Sequence, residues 1–367
     1  MSGSATVVLA PDSFKSTAGA AEVAGALAAG WRVRRPQDSL IQLPLADGGE
    51  GTLDCLERSV PGSQRLAVTV EGPQGAFFAA SWLLLPDGTG VVELASTCGL
   101  TLAPPNALTA STRGFGQAIA AALDHGVERL LLAIGGSAST DGGAGALSAL
   151  GARLTRSDGA AVSPGGIGLL ELADVDLTGL RPLPPGGATV LCDVDNPLTG
   201  PRGAARVFGP QKGASPDDVV LLEQALTHWA DLVGADSLQP GAGAAGGTGF
   251  GLVAWGASLS SGARQVLEVT DLVTVLAGAD AIVTGEGQFD EQSSSGKLVS
   301  HVLAAARERG TDAFLVAGRI ASPPTGFATS VELVALADGV ERAMGRPLYW
   351  VAQAGSELAR FFEASAS

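Results

Sequence analysis

The stretch Leu130–Gly151, LLLAIGGSASTDGGAGALSALG, constrains the fold more than any other part of the chain. Its apolar run Leu130–Ile134 has the length of a buried strand and stops at Gly135-Gly136-Ser137. After Asp141-Gly142-Gly143 it resumes as small and apolar residues at helical spacing. A strand that hands over to a helix through glycines leaves unpaired backbone N–H groups aimed at one place. Those donors and the helix dipole both favour an anion there. Asp141 would repel a bare phosphate, so it suits a metal ion, a substrate hydroxyl or a helix N-cap. From this stretch alone, a purely structural turn capped by Asp141 stands beside the functional reading.

The pattern recurs. Thr6–Ala10 reads as a buried strand ending in Pro11-Asp12-Ser13-Phe14-Lys15, with a helix expected over Ala18–Gly30. Leu40–Leu45 reads as a second strand, ending in Asp47-Gly48-Gly49-Glu50 before another helical stretch. Near the far end, the strand Ala281–Thr284 stops at a loop through Gly285, Glu286 and Asp290, with Lys297 shortly before a helix over Val299–Arg309. Ala313–Ala317 and Val331–Leu336 read as further strands. Repeated strand–loop–helix units predict an open parallel α/β sheet whose ligands sit beyond the carboxyl ends of the strands. Between the two ends the texture differs. Leu66–Val70, Ala76–Leu85 and Gly90–Leu94 are β-rich and separated by Gly and Pro-Asp-Gly turns, which predicts hairpins. Helices are expected over Phe115–His125 and from Asp217 to Val233, with a short strand at Ala188–Leu191. The expected architecture is a Rossmann-like α/β domain formed by both chain ends, residues 1–65 and 269–367. A mixed α/β domain is inserted at 66–268.

Composition narrows the partners. With 367 residues and 46% of them hydrophobic, the chain can build two full cores. Its 52 glycines have no collagen-like period and read as tight turns. Twenty-two Lys and Arg stand against 37 Asp and Glu, a net charge of −15 that argues against nucleic acid or an anionic membrane as the main partner. Any polyanionic substrate must then find a local cluster of Lys, backbone N–H and metal. The three cysteines (Cys55, Cys98, Cys192) and three histidines are scattered, which offers neither a disulfide framework nor zinc spacing. No Lys or Arg precedes the first apolar run, and no run approaches the roughly 20 residues of a bilayer span. A cytoplasmic protein is expected.

Lys15, Asp47 with Glu50, Asp141, Asp193 with Asp195, Lys212, and Glu286 with Asp290 and Lys297 all lie in polar or Gly-rich loops, most of them just after apolar strands. Phosphoryl transfer needs these types: Lys and N–H groups for phosphates, carboxylates for Mg²⁺ and for the proton of the attacking hydroxyl. Singly, each is read as well by a cap or a solvated surface charge; their recurrence favours a site. Competing motifs fail. Gly241, Gly243 and Gly246 match G-x-G-x-x-G, but Pro240 and a polar loop precede them where a strand belongs. The Gly135–Ser139 segment lacks the closing glycine of a serine-hydrolase elbow. Gly296-Lys297 is followed by Leu298, so no Walker A exists.

Taken together, APDSFK (10–15), PLADGGEGT (44–52), IGGSA…DGGAG (134–145), DVDNPL (193–198), VFGPQKGA (207–214), PGAGAAGG (240–247) and TGEGQFDEQ…GK (284–297) resemble the bacterial glycerate kinases of the two-domain type. The likeness runs nearly end to end. It implies ATP- and Mg²⁺-dependent phosphorylation of D-glycerate to 2- or 3-phosphoglycerate in a cleft between the domains. It also implies that Asp12, Lys15, Asp47, Glu50, Asp141, Asp193, Lys212, Glu286, Asp290 and Lys297 lie near that cleft. Ser16, Ser139-Thr140 and Asp195 depart from the usual pattern, and the second departure alters a candidate substrate contact.

Within that frame we assign Asp193, Asp141, Lys15 and Lys212 to catalysis. Ser13, Asp47, Gly135, Gly136 and Ser137 are assigned to the substrate. Lys212, Gly246, Gly247, Gly285 and Lys297 are assigned to ATP, and Asp47, Glu286 and Asp290 to Mg²⁺. D-glycerate and ATP are the expected partners, and a homodimer is compatible with the pattern. The competing functions are a nicotinamide-dependent oxidoreductase of a small hydroxy acid and a non-catalytic sugar-acid-binding regulator.

Overall fold

The computed structural model describes residues 3–14, 17–291, 293 and 297–365. In chain order its strands are Thr6–Pro11 (β1), Ser39–Gln42 (β2), Gln64–Glu71 (β3), Phe77–Leu84 (β4), Thr89–Glu93 (β5), Arg129–Ala133 (β6), Arg153–Thr155 (β7), Asp174–Asp176 (β8), Ala188–Leu191 (β9), Ser258–Ser260 (β10), Ala281–Phe289 (β11), Asp312–Ile320 (β12) and Thr329–Glu332 (β13). The chain packs as two compact units, one of residues 1–47, 54–60 and 263–367, the other of residues 48–53 and 61–262.

The first unit holds a five-stranded sheet in the order β13-β12-β11-β1-β2, with every pair parallel. Its inner strands are runs of apolar residues buried on both faces, as a parallel sheet covered by helices requires. Helices Ala20–Arg34 and Pro347–Ser365 pack together, and Val23, Leu27, Trp31, Val351 and Leu358 share one core with Val7, Leu9, Val283 and Phe314. Beyond the first helix, Arg35 is buried against Asp38, whose carboxylate also accepts from Trp31 Nε1 at 2.9 Å. From β1 the chain steps to β2 on one side, while β12 and β13 follow β11 on the other. The β1–β11 boundary is therefore a topological switch point, where ligands of such sheets bind beyond the carboxyl ends.

The second unit holds a six-stranded sheet in the order β10-β9-β6-β5-β4-β3. β3, β4 and β5 pair antiparallel, the hairpins their turn residues predict, and β5, β6, β9 and β10 are parallel. Phe115, Ile119, Leu132, Leu147, Leu226, Trp229 and Phe250 fill its core. Each such side chain contributes on the order of 1.5–3 kcal/mol by leaving water.

Several elements differ from expectation. β2 ends at Gln42, because Pro44 has no N–H to continue the ladder; the chain stays beside β1 through Leu43 N–H to Leu9 O (2.8 Å) and Leu45 N–H to Pro11 O (2.9 Å). β11 does not stop at Thr284 but runs to Phe289, so Gly285 and Glu286 are strand residues. A Cβ at Gly285 would overlap the Val316 carbonyl of the neighbouring strand, so this glycine marks close strand packing. Residues 333–336 form a helix after β13 and not the tail of a strand. Pro240–Gly251 is a turn entering the helix Ala244–Ala254, with no strand leading into it. No described helix is long and apolar enough to cross a membrane.

Candidate functional site

β6 delivers the chain to the turn at 134–143, and backbone bonds stitch that turn in place. Gly135 donates to Gly48 O at 3.0 Å, Leu100 donates to Gly136 O at 2.9 Å, and Ala138 donates to Cys98 O at 3.0 Å. A Cβ at Gly135 would lie 2.5 Å from Gly49 Cα, so the two loops touch backbone to backbone. The N–H groups of Gly136 and Ser137 have no acceptor among the described residues. They are adjacent donors that this turn offers to an anion.

Asp141 is buried and fully engaged. Its Oδ2 accepts from Thr112 N–H (2.8 Å), Thr112 Oγ1 (2.9 Å) and Gly145 N–H (3.3 Å), and its Oδ1 from Gly143 N–H (3.2 Å). Burial pushes its carboxyl above the ordinary range, against the pull of those bonds from Thr112, Gly143 and Gly145. Of the alternatives open in the sequence, the helix cap describes this geometry: Asp141 ties the start of the helix Ala144–Ala149 to the start of Arg113–His125.

Lys212 is the centre of the cluster. The short 3-10 turn Pro210–Lys212 carries its side chain inward until the residue is only 2% exposed. Its Nζ donates to Ser139 O and lies 3.4 Å from Ser137 Oγ. Ser137 Oγ in turn donates to Ala245 O at 3.1 Å and lies 3.2 Å from Ser139 Oγ. Burial pushes the Lys212 ammonium down to about 7, opposed by the charge of Asp141. The third wall is the helix Ala244–Ala254, in which Ala245, Gly246 and Gly247 take φ of +54°, +70° and +88°. At Gly246 this conformation and the space both demand glycine. A Cβ there would overlap Ser139 O and stand 2.8 Å from Lys212 Nζ and from Thr140 Cα. Ala245 adopts the same left-handed form with a Cβ, at a cost of about 1–2 kcal/mol. Gly142 N–H to Gly246 O (3.1 Å) and Trp229 Nε1 to Gly142 O (3.1 Å) clamp the arrangement.

Asp193, at the carboxyl end of β9, is exposed; its Oδ1 accepts from Ser261 Oγ and Gly262 N–H, both at 2.9 Å. Glu50 is exposed as well. In the first unit, Asp12 follows β1 and donates its N–H to Gly285 O at 2.8 Å, while Ser13 N–H donates to Asp12 Oδ1 at 2.6 Å. Glu286 is in β11, Asp290 follows that strand and binds Ser293 N–H (3.2 Å), and Asp47 follows the segment that runs beside β1. Lys297 begins the helix Leu298–Arg309. Lys15 lies outside the described residues.

The structure thus gathers Ser137, Lys212 and Gly246 beside the Asp141 turn in the second unit. It sets Asp12, Ser13, Asp47, Gly285, Glu286 and Asp290 along one sheet edge in the first. Among the described residues no three His, Cys, Asp or Glu side chains form a metal-holding group. Mg²⁺ in a nucleotide site needs only one or two carboxylates, the rest of its shell being water and phosphate oxygens, so the half-buried Asp47, Glu286 and Asp290 fit that mode.

Two contributors lie outside every motif: Thr112 anchors Asp141, and Glu93, closing β5, is buried and accepts Leu53 N–H at 3.0 Å; Ala245, inside PGAGAAGG, holds Ser137 through its carbonyl. The one signal for Glu93 was a lone carboxylate at the end of the apolar run GVVE.

A model of the glycerate kinase family matches residues 7–363. The chain is 43% identical over 325 residues to the glycerate kinase of Bacillus subtilis strain 168, covering 86% of this chain and 85% of that one. It is 40% identical over 326 residues to the glycerate 2-kinase of Escherichia coli K12, covering 86% of this chain and 85% of that one. A crystal structure from Salmonella typhimurium LT2, provisionally named glycerate kinase 2, superposes with a TM-score of 0.82 at 37% identity, over 99% of both chains.

Proposed function

The chain belongs to the glycerate kinase family, and we propose that it transfers the γ-phosphoryl group of ATP to a hydroxyl of D-glycerate. The observation that carries this reading is Lys212, a buried cation with its ammonium fixed by Ser139 O and Ser137 Oγ. Phosphoryl transfer asks a protein for position and charge, and a fixed cation out of water acts on developing phosphoryl charge far more strongly than a hydrated one.

In this reading the free N–H groups of Gly136 and Ser137, together with Lys15, hold the glycerate carboxylate. Lys212 neutralises the transferring group, with Gly246 and Gly247 allowing close backbone approach. Asp193 accepts the proton of the attacking hydroxyl as the new O–P bond forms and the bond to ADP breaks. Asp141, saturated by four donors, positions the turn and does not touch substrate. Gly285 and Lys297 are assigned to the nucleotide, with Asp47, Glu286 and Asp290 to Mg²⁺. When bound, that ion supplies charge neutralisation on the phosphate oxygens.

The test is ADP release with D-glycerate, ATP and Mg²⁺, followed by phosphorus NMR of the product to assign the 2- or 3-position. ADP release that requires glycerate supports the kinase. Glycerate-dependent thermal stabilisation without ADP release would instead mark a non-catalytic binder.

A further inference from the structure

Thr140 sits between Ser139 and Asp141 and is completely buried, yet its Oγ1 has no hydrogen-bond partner among the described residues. Polar atoms on either side of it are served: the Asp141 carboxylate by four donors, Ser139 O by Lys212, and Ser139 N–H by Ser137 Oγ at 3.2 Å. A buried hydroxyl left unpaired is a standing cost to folding, and valine would fill the same shape without it. The residue's backbone also borders the Lys212 cluster. The point 2.8 Å from Thr140 Cα that a Gly246 Cβ would occupy is equally 2.8 Å from Lys212 Nζ. The segment packed there is the left-handed run 245–247, where Ala245 holds a conformation unfavourable for a residue with a Cβ.

We propose that Thr140 is a specificity-determining residue for the acceptor, its Oγ1 taking a hydrogen bond with an oxygen of the bound hydroxy acid. This rests on the kinase reading above. A hydroxyl both donates and accepts, so it can meet either a carboxylate or a hydroxyl oxygen of such a ligand. A site built around such a bond rejects ligands that lack the matching group.

The experiment compares wild type, Thr140→Val and Thr140→Ser, measuring thermal stability without ligand and ADP-release kinetics over D-glycerate at saturating ATP and Mg²⁺. Thr140→Val is expected to be at least as heat-stable as wild type. Its kcat/KM for D-glycerate falls about 10–100-fold, while its KM for ATP is unchanged and Thr140→Ser recovers most of the loss. Kinetics of Thr140→Val within twofold of wild type overturn the proposal whether or not stability changes. A Thr140→Ser enzyme as impaired as Thr140→Val overturns it too, since the hydroxyl is then not what matters. A wild type that releases no ADP with D-glycerate overturns the functional reading first, and this inference with it.

Discussion

In the second unit Asp141 and Lys212 are buried, at 1% and 2% exposure, although Asp193 at the end of β9 is exposed; in the first unit Asp12 is buried, while Asp47, Glu286 and Asp290 are only half-buried. The buried groups are held by fixed partners: Thr112, Gly143 and Gly145 for the carboxylate, Ser139 O for the ammonium. Desolvation is expensive, and it is worthwhile only where a charge must act in a set direction. Half-buried Asp47 and Asp290 keep water within reach, as a hydrated Mg²⁺ requires, while Glu286 has one oxygen, Oε1, buried in the protein. The contrast separates a rigid electrostatic frame from an adaptable, hydrated one.

The strongest way to break this comparison is Lys212→Met. It should lower kcat/KM by roughly 10²–10³-fold or more in the ADP-release assay while leaving the protein folded by circular dichroism, because it removes a buried charge whose packing methionine can largely replace. Normal turnover would show that the buried ammonium is structural only.

A titration sharpens the same point. The charged form of Lys212 is the one assigned to phosphoryl, and burial has brought its pKa to about 7. The kcat/KM of the enzyme should therefore fall as pH rises through about 7. For stability the sign is opposite. The unfolded chain keeps this lysine protonated up to its ordinary pKa, so the destabilisation is fully present below about 7 and is relieved as pH rises above it. Urea unfolding between pH 7 and pH 10 should show wild type gaining on Lys212→Met.

Gly246→Ala tests the frame by shape. With a backbone in the left-handed region and Ser139 O in the way, it should cost ~2–4 kcal/mol by denaturant melt. Gly51→Ala, also left-handed at φ +89° but with nothing within 4 Å, should cost only about 1–2 kcal/mol. Equal losses would mean that conformation alone, and not the wall against Ser139 O, sets the requirement. The smallest effect on stability belongs to the hydrated side. Glu286→Gln with Asp290→Asn should shift denaturation by less than about 1 kcal/mol, yet raise the Mg²⁺ concentration needed for half-maximal activity several-fold.

How much of this was legible depended on the range of the interaction. The strand–turn–helix at 130–151 could be read because its signals are local: an apolar run, glycines and a helical period. The hairpins β3–β4–β5 were visible in their turn residues for the same reason. Lys212 was a candidate from the start, but its burial was not legible, since its partner Ser139 O is 73 residues away. The extension of β11 was hidden by glycines that ordinarily mark loops; Gly285 is there because β12 presses against it. Asp141 could be narrowed to three roles, and the choice among them waited for Thr112, 29 residues upstream. Ser139-Thr140 stood out in sequence as a departure at a candidate substrate contact, but the unpaired hydroxyl of Thr140 was not legible, because it is defined by what fails to surround it.

The place of β1 between β2 and β11 has a consequence during synthesis. Ala10 O on β1 accepts from Thr284 Oγ1, 274 residues later in the chain. At a ribosomal pace of about 5–20 residues per second, one side of β1 waits roughly 15–50 s for its neighbour. Throughout that interval the second unit can emerge and close on itself, while an apolar strand edge stays open to wrong partners. The nascent chain is thus exposed until β11 emerges, and a truncation that removes β11 prolongs that exposure indefinitely.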